Sequence, residues 1–262
     1  MPCRIPKYPR GHANILLLSM YFSTRCEQYL GLAWGIYSII VCCRVVVMKL
    51  QINGNTPLSQ VSFVALDTET CGLYEARVVE LAGVRFRGGV EEGRFQTLVD
   101  PQERIPSEVT AIHGITNEMV QGAPKIRQAL MAFLDFTRGA VWLAHNSPFD
   151  VKILTAEFYQ SELPIPARFV LDSCRLSRRF NAGLQSHSLG SVCWHLGIKQ
   201  EQAHRALGDS LAVMEIFQRI IARHPTMTIG ELLARHGKPY DFDRAIATSY
   251  CIPRYTSLER IE

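Results

Sequence analysis

The sequence predicts an α/β domain built on a mixed five-stranded sheet flanked by helices. Two observations carry this reading. Beyond Met48, short apolar runs rich in strand formers are separated first by turn residues and later by stretches of helical periodicity. The order of these segments, three strands in succession and then helix, strand, helix, strand and helices, is that of a mixed sheet with helices on its faces. With 47 % hydrophobic and 20 % charged residues among 262, the chain is neither disordered nor collagen-like. Its 8 cysteines form no C-x-x-C pair and read as single thiols, not as a disulfide framework or zinc ligands.

The first 47 residues stand apart from this pattern. They hold five of the 28 basic residues and one of the 24 acidic ones, which accounts for the whole net charge of +4. The part beyond Met48 is therefore neutral, so nucleic-acid binding there must rest on a site and cannot rest on general basicity. The longest uncharged run, Gln28 to Cys43, is 16 residues, short of the roughly 20 that span a bilayer. Ile15 to Phe22 follows basic residues but precedes no small-residue cleavage pattern. A membrane anchor ending at Arg44, a degenerate targeting segment and sequence upstream of a start at Met48 are the three readings. The abrupt change of composition favours the last. The expected organisation is an extension over 1–47, a domain over 48–224 and a tail over 225–262.

Along the domain, Val61 to Leu66 reads as a strand ended by Asp67, and Val78 to Phe86 and Arg94 to Val99 as two more. Arg87-Gly88-Gly89 supplies the turn of a meander between them. Pro106-Ser107 opens a short helix closed by Gly114. Pro124 begins another, with Ile126, Leu130, Phe133 and Leu134 on one face. Val141 to Ala144 is a fourth strand, followed by a helix that Ser147 caps and Pro148 opens. Arg168 to Leu171 is the fifth. Helices over Cys174–Phe180, Ser188–Leu196 and Ala206–Arg223 complete the domain, and Thr228 to Leu233 has the pattern of a short helix in the tail.

Four carboxylates sit at the ends of these elements. Asp67 and Glu69 follow the first strand at i and i+2, a spacing that puts both on one face of an extended segment; the same residues also suit a polar strand end entering a turn. Asp150 follows the fourth strand, and its spacing from Ser147 fits either a capping box or a ligand near a helix N-terminus. Asp209 lies one helical turn before Val213 on a row of apolar residues, so it points toward buried surface, where a carboxylate needs a partner or a cation. His204 falls in the loop feeding that helix, where an imidazole beside a cation-activated water suits a general base. Four converging acids would hold two divalent cations about 3.5–4 Å apart for phosphodiester hydrolysis, and hard oxygens select Mg²⁺ or Mn²⁺ over zinc.

Five motifs in order, Leu66-Asp-Thr-Glu-Thr70, Val109-Thr-Ala-Ile-His-Gly-Ile-Thr116, His145-Asn-Ser-Pro-Phe-Asp150, Leu171-Asp-Ser173 and His204-Arg-Ala-Leu-Gly-Asp209, resemble those of the DEDDh exonucleases. This DnaQ-like family includes the proofreading epsilon subunit of bacterial DNA polymerase III. The resemblance runs from about Val61 to Arg223. It implies a ribonuclease H-like fold, release of nucleoside 5′-monophosphates from a 3′ end, Asp67, Glu69, Asp150 and Asp209 as metal ligands, and His204 as general base. Thr68, His113, His145, Asn146, Phe149 and Asp172 fall at positions that contact or support the terminal nucleotide in relatives. His113 and Phe149 also have structural readings, the first beside a helix stop and the second in the core. The resemblance further implies single-stranded or frayed nucleic-acid 3′ ends as substrate, DNA before RNA, a replicative DNA polymerase as partner, and a cytoplasmic setting without membrane association. An RNA-trimming exonuclease and a polymerase-binding subunit with secondary catalysis are the alternatives. Ser173, in place of a threonine, and a tail lacking a glutamine-rich linker or clamp-binding segment depart from the epsilon pattern.

Overall fold

The computed structural model describes residues 52–72, 76–164, 166 and 169–242. The extension over 1–47 and its three readings lie outside the described residues. The strands are β1 (Ser62–Thr70), β2 (Val78–Arg87), β3 (Val90–Leu98), β4 (Val141–Ala144) and β5 (Phe169–Asp172). A two-residue β6 (Tyr240–Asp241) extends the sheet at its edge, giving the order β3-β2-β1-β4-β5-β6. Pairing is antiparallel from β3 to β1 and between β5 and β6, and parallel from β1 through β4 to β5. This is the mixed five-stranded ribonuclease H-like sheet that was expected, with one short addition.

Seven α-helices are present among the described residues: α1 (Ser107–His113), α2 (Ile126–Phe136), α3 (Pro148–Gln160), α4 (Ser173–Phe180), α5 (Leu189–Leu196), α6 (Ala206–Arg223) and α7 (Ile229–His236). Gly114 ends α1 at φ 74°, a left-handed conformation that glycine adopts without steric cost. None of the described helices is long and apolar enough to cross a membrane.

Alternation along β1 decides what each layer contains. Phe63 and Ala65 face α6, where Phe63 meets Phe217 edge to face at 4.7 Å between ring centroids, with Val84, Phe86, Val213 and Ile216 around them. Val64 and Leu66 face α2 and α3, in a second core with Phe133, Trp142, Leu154 and Phe158. Carried forward, the same alternation sends Asp67 and Glu69 to the α6 face and Thr68 to the α3 face.

Two local expectations are corrected. β1 does not end at Asp67; β2 pairs with it as far as Thr70, so both acids lie inside the strand, with Glu69 directly opposite Glu80. The reading of Asp67-Thr68-Glu69 as a strand end entering a turn falls with this. Ser147 does not cap α3 with its side chain: its backbone is helical and its buried hydroxyl has no hydrogen-bond partner among the described residues. The capping-box reading of Asp150 falls as well, and Pro148 alone marks the helix start.

The segment after residue 224 packs on the domain as far as Phe242. Met227, Ile229, Leu232 and Phe242 are buried. α7 opens with a Thr228–Glu231 capping box, and β6 pairs with β5.

Candidate metal centre and nucleic-acid cleft

The carboxyl ends of the parallel strands form one rim, the usual place for a ligand crevice in α/β sheets. β1 delivers Asp67 and Glu69 there, and the first turn of α6 brings Asp209 over the same face. One carboxylate oxygen from each of the three lies within 4.8 Å of the others. Asp150, in the first turn of α3, is outside that trio but is the acid that raises the Asp67 carboxyl most. Its Oδ1 accepts a hydrogen bond from Thr68 Oγ1 at 2.8 Å, which accounts for Thr68 pointing into α3.

The electrostatics of the group are those of uncompensated charge. Burial and then the neighbouring acids Asp150, Glu69 and Asp209 hold the Asp67 carboxyl well above the usual range. Glu69 is pushed up to about 8 by burial, Asp209, Glu80 and Asp150, with Arg205 alone opposing. Asp150 rises to about 7 through burial, against the hydrogen bond from Thr68. Asp209 is raised by burial, moderated by Gln200 and His204. Four carboxylates that repel one another and share hard oxygen donors match a divalent-cation site.

His204 is exposed in the loop before α6, at φ 61°, and its imidazole charge and backbone N–H both act on Asp209. The side-chain amide of Gln200 donates to Asp209 Oδ1 at 2.6 Å. Base and ligand candidates are thus held together at the start of one helix.

The remaining expected residues divide into those that face outward and those engaged internally. Asn146 is exposed at φ 63°, and its backbone N–H donates to Asp172 Oδ1 at 3.1 Å. That same oxygen accepts from Cys174 N–H at 2.9 Å, so Asp172 caps α4 and holds the β4–α3 loop in place. Phe149 is half-buried against the second core. His145 donates from Nε2 to the His187 carbonyl and meets Ser173 Oγ at Nδ1, 2.8 Å away; burial lowers its proton affinity. His113 is buried, its Nδ1 accepting from Ile115 N–H and its Nε2 reaching the Thr70 carbonyl. In this structure His113 ties α1 to the end of β1, its ring nitrogens both satisfied within the protein.

Three participants were missed by sequence reasoning. Glu80 is fully buried on β2 and receives both Nε and Nη2 of Arg205, at 3.0 and 2.7 Å. Its signal was a lone acid inside Val78-Val79-Glu80-Leu81-Ala82-Gly83. Arg205 adjoins His204 but gave no local sign that its partner lay 125 residues away. Gln200, the donor to Asp209, had no signal either.

Fold and site together define a nuclease-type domain: a ribonuclease H-like sheet carrying a cluster of acids at the ends of its parallel strands. The chain belongs to the RNase T exonuclease family, whose pattern matches residues 64–217. It is 40 % identical over 200 residues to a DNA polymerase III subunit epsilon-like protein of Rhodobacter capsulatus, covering 70 % of this chain and 28 % of that one. It is 36 % identical over 169 residues to the DNA polymerase III subunit epsilon of Treponema pallidum, covering 63 % of this chain and 78 % of that subunit. Among solved structures, exonuclease X in complex with 5′ overhanging duplex DNA superposes with a TM-score of 0.53 at 25 % identity, over 68 % of this chain and all of that one. The chain thus spans under a third of the Rhodobacter relative and most of the Treponema subunit.

Proposed function

We propose that this domain is a metal-dependent 3′-5′ exonuclease that releases nucleoside 5′-monophosphates from unpaired DNA 3′ ends, in epsilon-like proofreading or repair. The convergence of Asp67, Glu69 and Asp209, with Asp150 beside them and the other three each raising the proton affinity of Asp67, is the observation that carries the reading. Asp67, Glu69, Asp150 and Asp209 would hold two divalent cations, Mg²⁺ or Mn²⁺. Bound there, the cations supply Lewis acidity to the attacking water and to the departing 3′ oxygen.

The chain's own side chains do the rest. Thr68 fixes the rotamer of Asp150 through its hydroxyl. His204, exposed beside Asp209, accepts the proton of the attacking water as general base. Asn146, on a loop that Asp172 and His145 hold in place, and Phe149, in the first turn of α3, meet the terminal nucleotide. A paired duplex end must first unstack, at about a few kcal/mol per step, so unpaired ends are preferred. The epsilon and epsilon-like relatives support a replicative DNA polymerase as partner and, with it, a cytoplasmic setting.

The test is degradation of matched 3′-labelled DNA and RNA oligonucleotides, single-stranded, duplex and mismatched at the end, with Mg²⁺ or with EDTA. Metal-dependent release of 5′-monophosphates from linear single-stranded DNA is expected. Cleavage of a circular single strand as fast as a linear one would exclude exonuclease action, and faster loss of the RNA would reassign the substrate.

A further inference from the structure

We propose that Glu80 and Arg205 form a clamp between sheet and helix that positions His204 and Asp209 against the acids of β1. The proposal rests on the reading of His204 as base and Asp209 as ligand. Neither Glu80 nor Arg205 is a ligand or base in that reading; each acts through the elements it joins.

Glu80 is opposite Glu69 in the β1–β2 register, and directly opposed residues of an antiparallel pair share a face of the sheet. It is therefore a third carboxylate on the face of the sheet that carries Asp67 and Glu69. Its oxygens are nonetheless fully engaged. Oε1 accepts from Arg205 Nη2 at 2.7 Å and Gln96 Nε2 at 2.8 Å. Oε2 accepts from Arg205 Nε and from the Ala206 backbone N–H, both at 3.0 Å. With four donors around it, Glu80 is closed to a cation.

The Ala206 contact makes Glu80 the cap of α6. The residue at the N-cap position, Arg205, provides no side-chain cap of its own. A serine or aspartate there would satisfy the helix end locally and leave the helix free to shift against the sheet. A cap supplied from β2 instead ties the first turn of α6 to the strand beside β1. The forked guanidinium adds a two-point contact that defines orientation as well as distance.

The loop leading into α6 has little slack with which to absorb a shift. Gln202 and His204 are both left-handed at φ 54° and 61°, a conformation uncommon outside glycine. A Cβ at Gly208 would collide with the carbonyls of Glu201 and Gln202, so the loop packs directly on the first turn of the helix. Gln200 closes the loop by donating to Asp209. Loop and helix end move together, and the Arg205–Glu80 contact is what fastens that unit to β2.

The test uses Arg205→Met, Arg205→Lys and Glu80→Gln in the full chain. Turnover and KM on a 3′-labelled single-stranded oligonucleotide, Mg²⁺ affinity by titration calorimetry, and hydrogen exchange of the amides over 200–209 are measured. For Arg205→Met we expect a kcat loss of about 10- to 100-fold with KM within about twofold, since misplacement by about 1 Å costs that much. Mg²⁺ affinity should weaken several-fold, and exchange over 204–209 should quicken while that of β4 and β5 stays unchanged. Arg205→Lys restores the charge and one donor without the fork and should fall between Met and wild type. If Arg205→Met does not fold, the same measurements on Arg205→Lys and Glu80→Gln decide the matter.

Wild-type exchange and Mg²⁺ affinity in the folded variants would overturn the clamp. So would a raised KM with unchanged kcat, which would make Arg205 a substrate contact. A wild-type chain without nuclease activity would defeat the functional reading instead, and the exchange and Mg²⁺ measurements would still judge the clamp.

Discussion

Glu80 and Glu157 are as deeply buried as Asp150, yet their surroundings are opposite in kind. Each of the two glutamates has an arginine and a backbone N–H aimed at it: Arg205 and Ala206 for Glu80, Arg77 and Val78 for Glu157. Burial pulls Glu80 upward, but the hydrogen bonds from Arg205, Gln96 and Ala206 outweigh it and hold the carboxyl below its ordinary value. The four acids of the cluster, by contrast, have a threonine hydroxyl, a glutamine amide, backbone N–H groups and one another. Buried carboxylates with a built-in cation pin the start of β2 to α6 and α3. Those without one form a site that takes its countercharge from outside, and this difference, more than burial itself, separates scaffold from chemistry.

The sharpest break in this contrast is removal of one cluster acid. Asp67→Ala should lower turnover by at least about 10³-fold while raising the melting temperature in EDTA, because a repelling charge is gone. Near wild-type nuclease activity in a purified preparation would dismiss the two-metal reading. Next in size, His204→Ala should lower kcat by about 10²- to 10⁴-fold while still binding Mg²⁺ and a 3′ end. An unchanged pH–rate profile in that variant would remove the histidine from the mechanism.

Stability against pH sharpens the comparison without any substitution. Glu69 and Asp150 titrate at about 8 and about 7 in the folded protein, against ordinary values of 4.5 and 3.8. Folding therefore takes up protons in this range. The stabilisation is fully present below the unfolded values and disappears as pH rises through the folded ones. In EDTA the melting temperature should fall between about pH 5 and pH 8, and saturating Mg²⁺ should offset the fall at the upper end. A flat or rising curve in EDTA would contradict the repulsion inferred for the cluster.

Glu157→Ala tests the other side. It should destabilise the fold by about 2–4 kcal/mol, read by urea unfolding, because the buried Val78 N–H loses its acceptor and Arg77 loses one of its contacts. Mg²⁺ affinity should stay at the wild-type level, since Glu157 bonds Arg77 and Val78 from α3 and is not one of the four cluster acids. The smallest effect is expected from a chain that begins at Met48, whose activity and melting temperature should match those of the full-length protein. Insolubility or inactivity of that shorter chain would show that 1–47 contributes to the domain.

How legible each part was follows from the range over which it is encoded. Helix positions such as Ala206–Arg223 and the stop at Gly114 follow from periodicity and from one residue's backbone freedom, both written within a few residues. The same holds for the shared face of Asp67 and Glu69, which the two-residue repeat of a strand dictates. The sequence alone therefore determined which elements form and which acids share a face.

Only the tertiary structure decided where those elements stop and what the acids meet. β1 runs through Asp67 and Glu69 because β2 supplies hydrogen-bonding partners as far as Thr70. Thr68 reaches Asp150, Arg205 reaches Glu80, and His236 on α7 accepts the Asp172 N–H at 2.8 Å, bringing a segment outside the expected domain under the β4–α3 loop. No local pattern distinguishes these partners from other polar residues. Each pair exists because burial forces a polar group to find whichever donor or acceptor the packing of distant segments places within reach, and that choice is made by the whole fold at once.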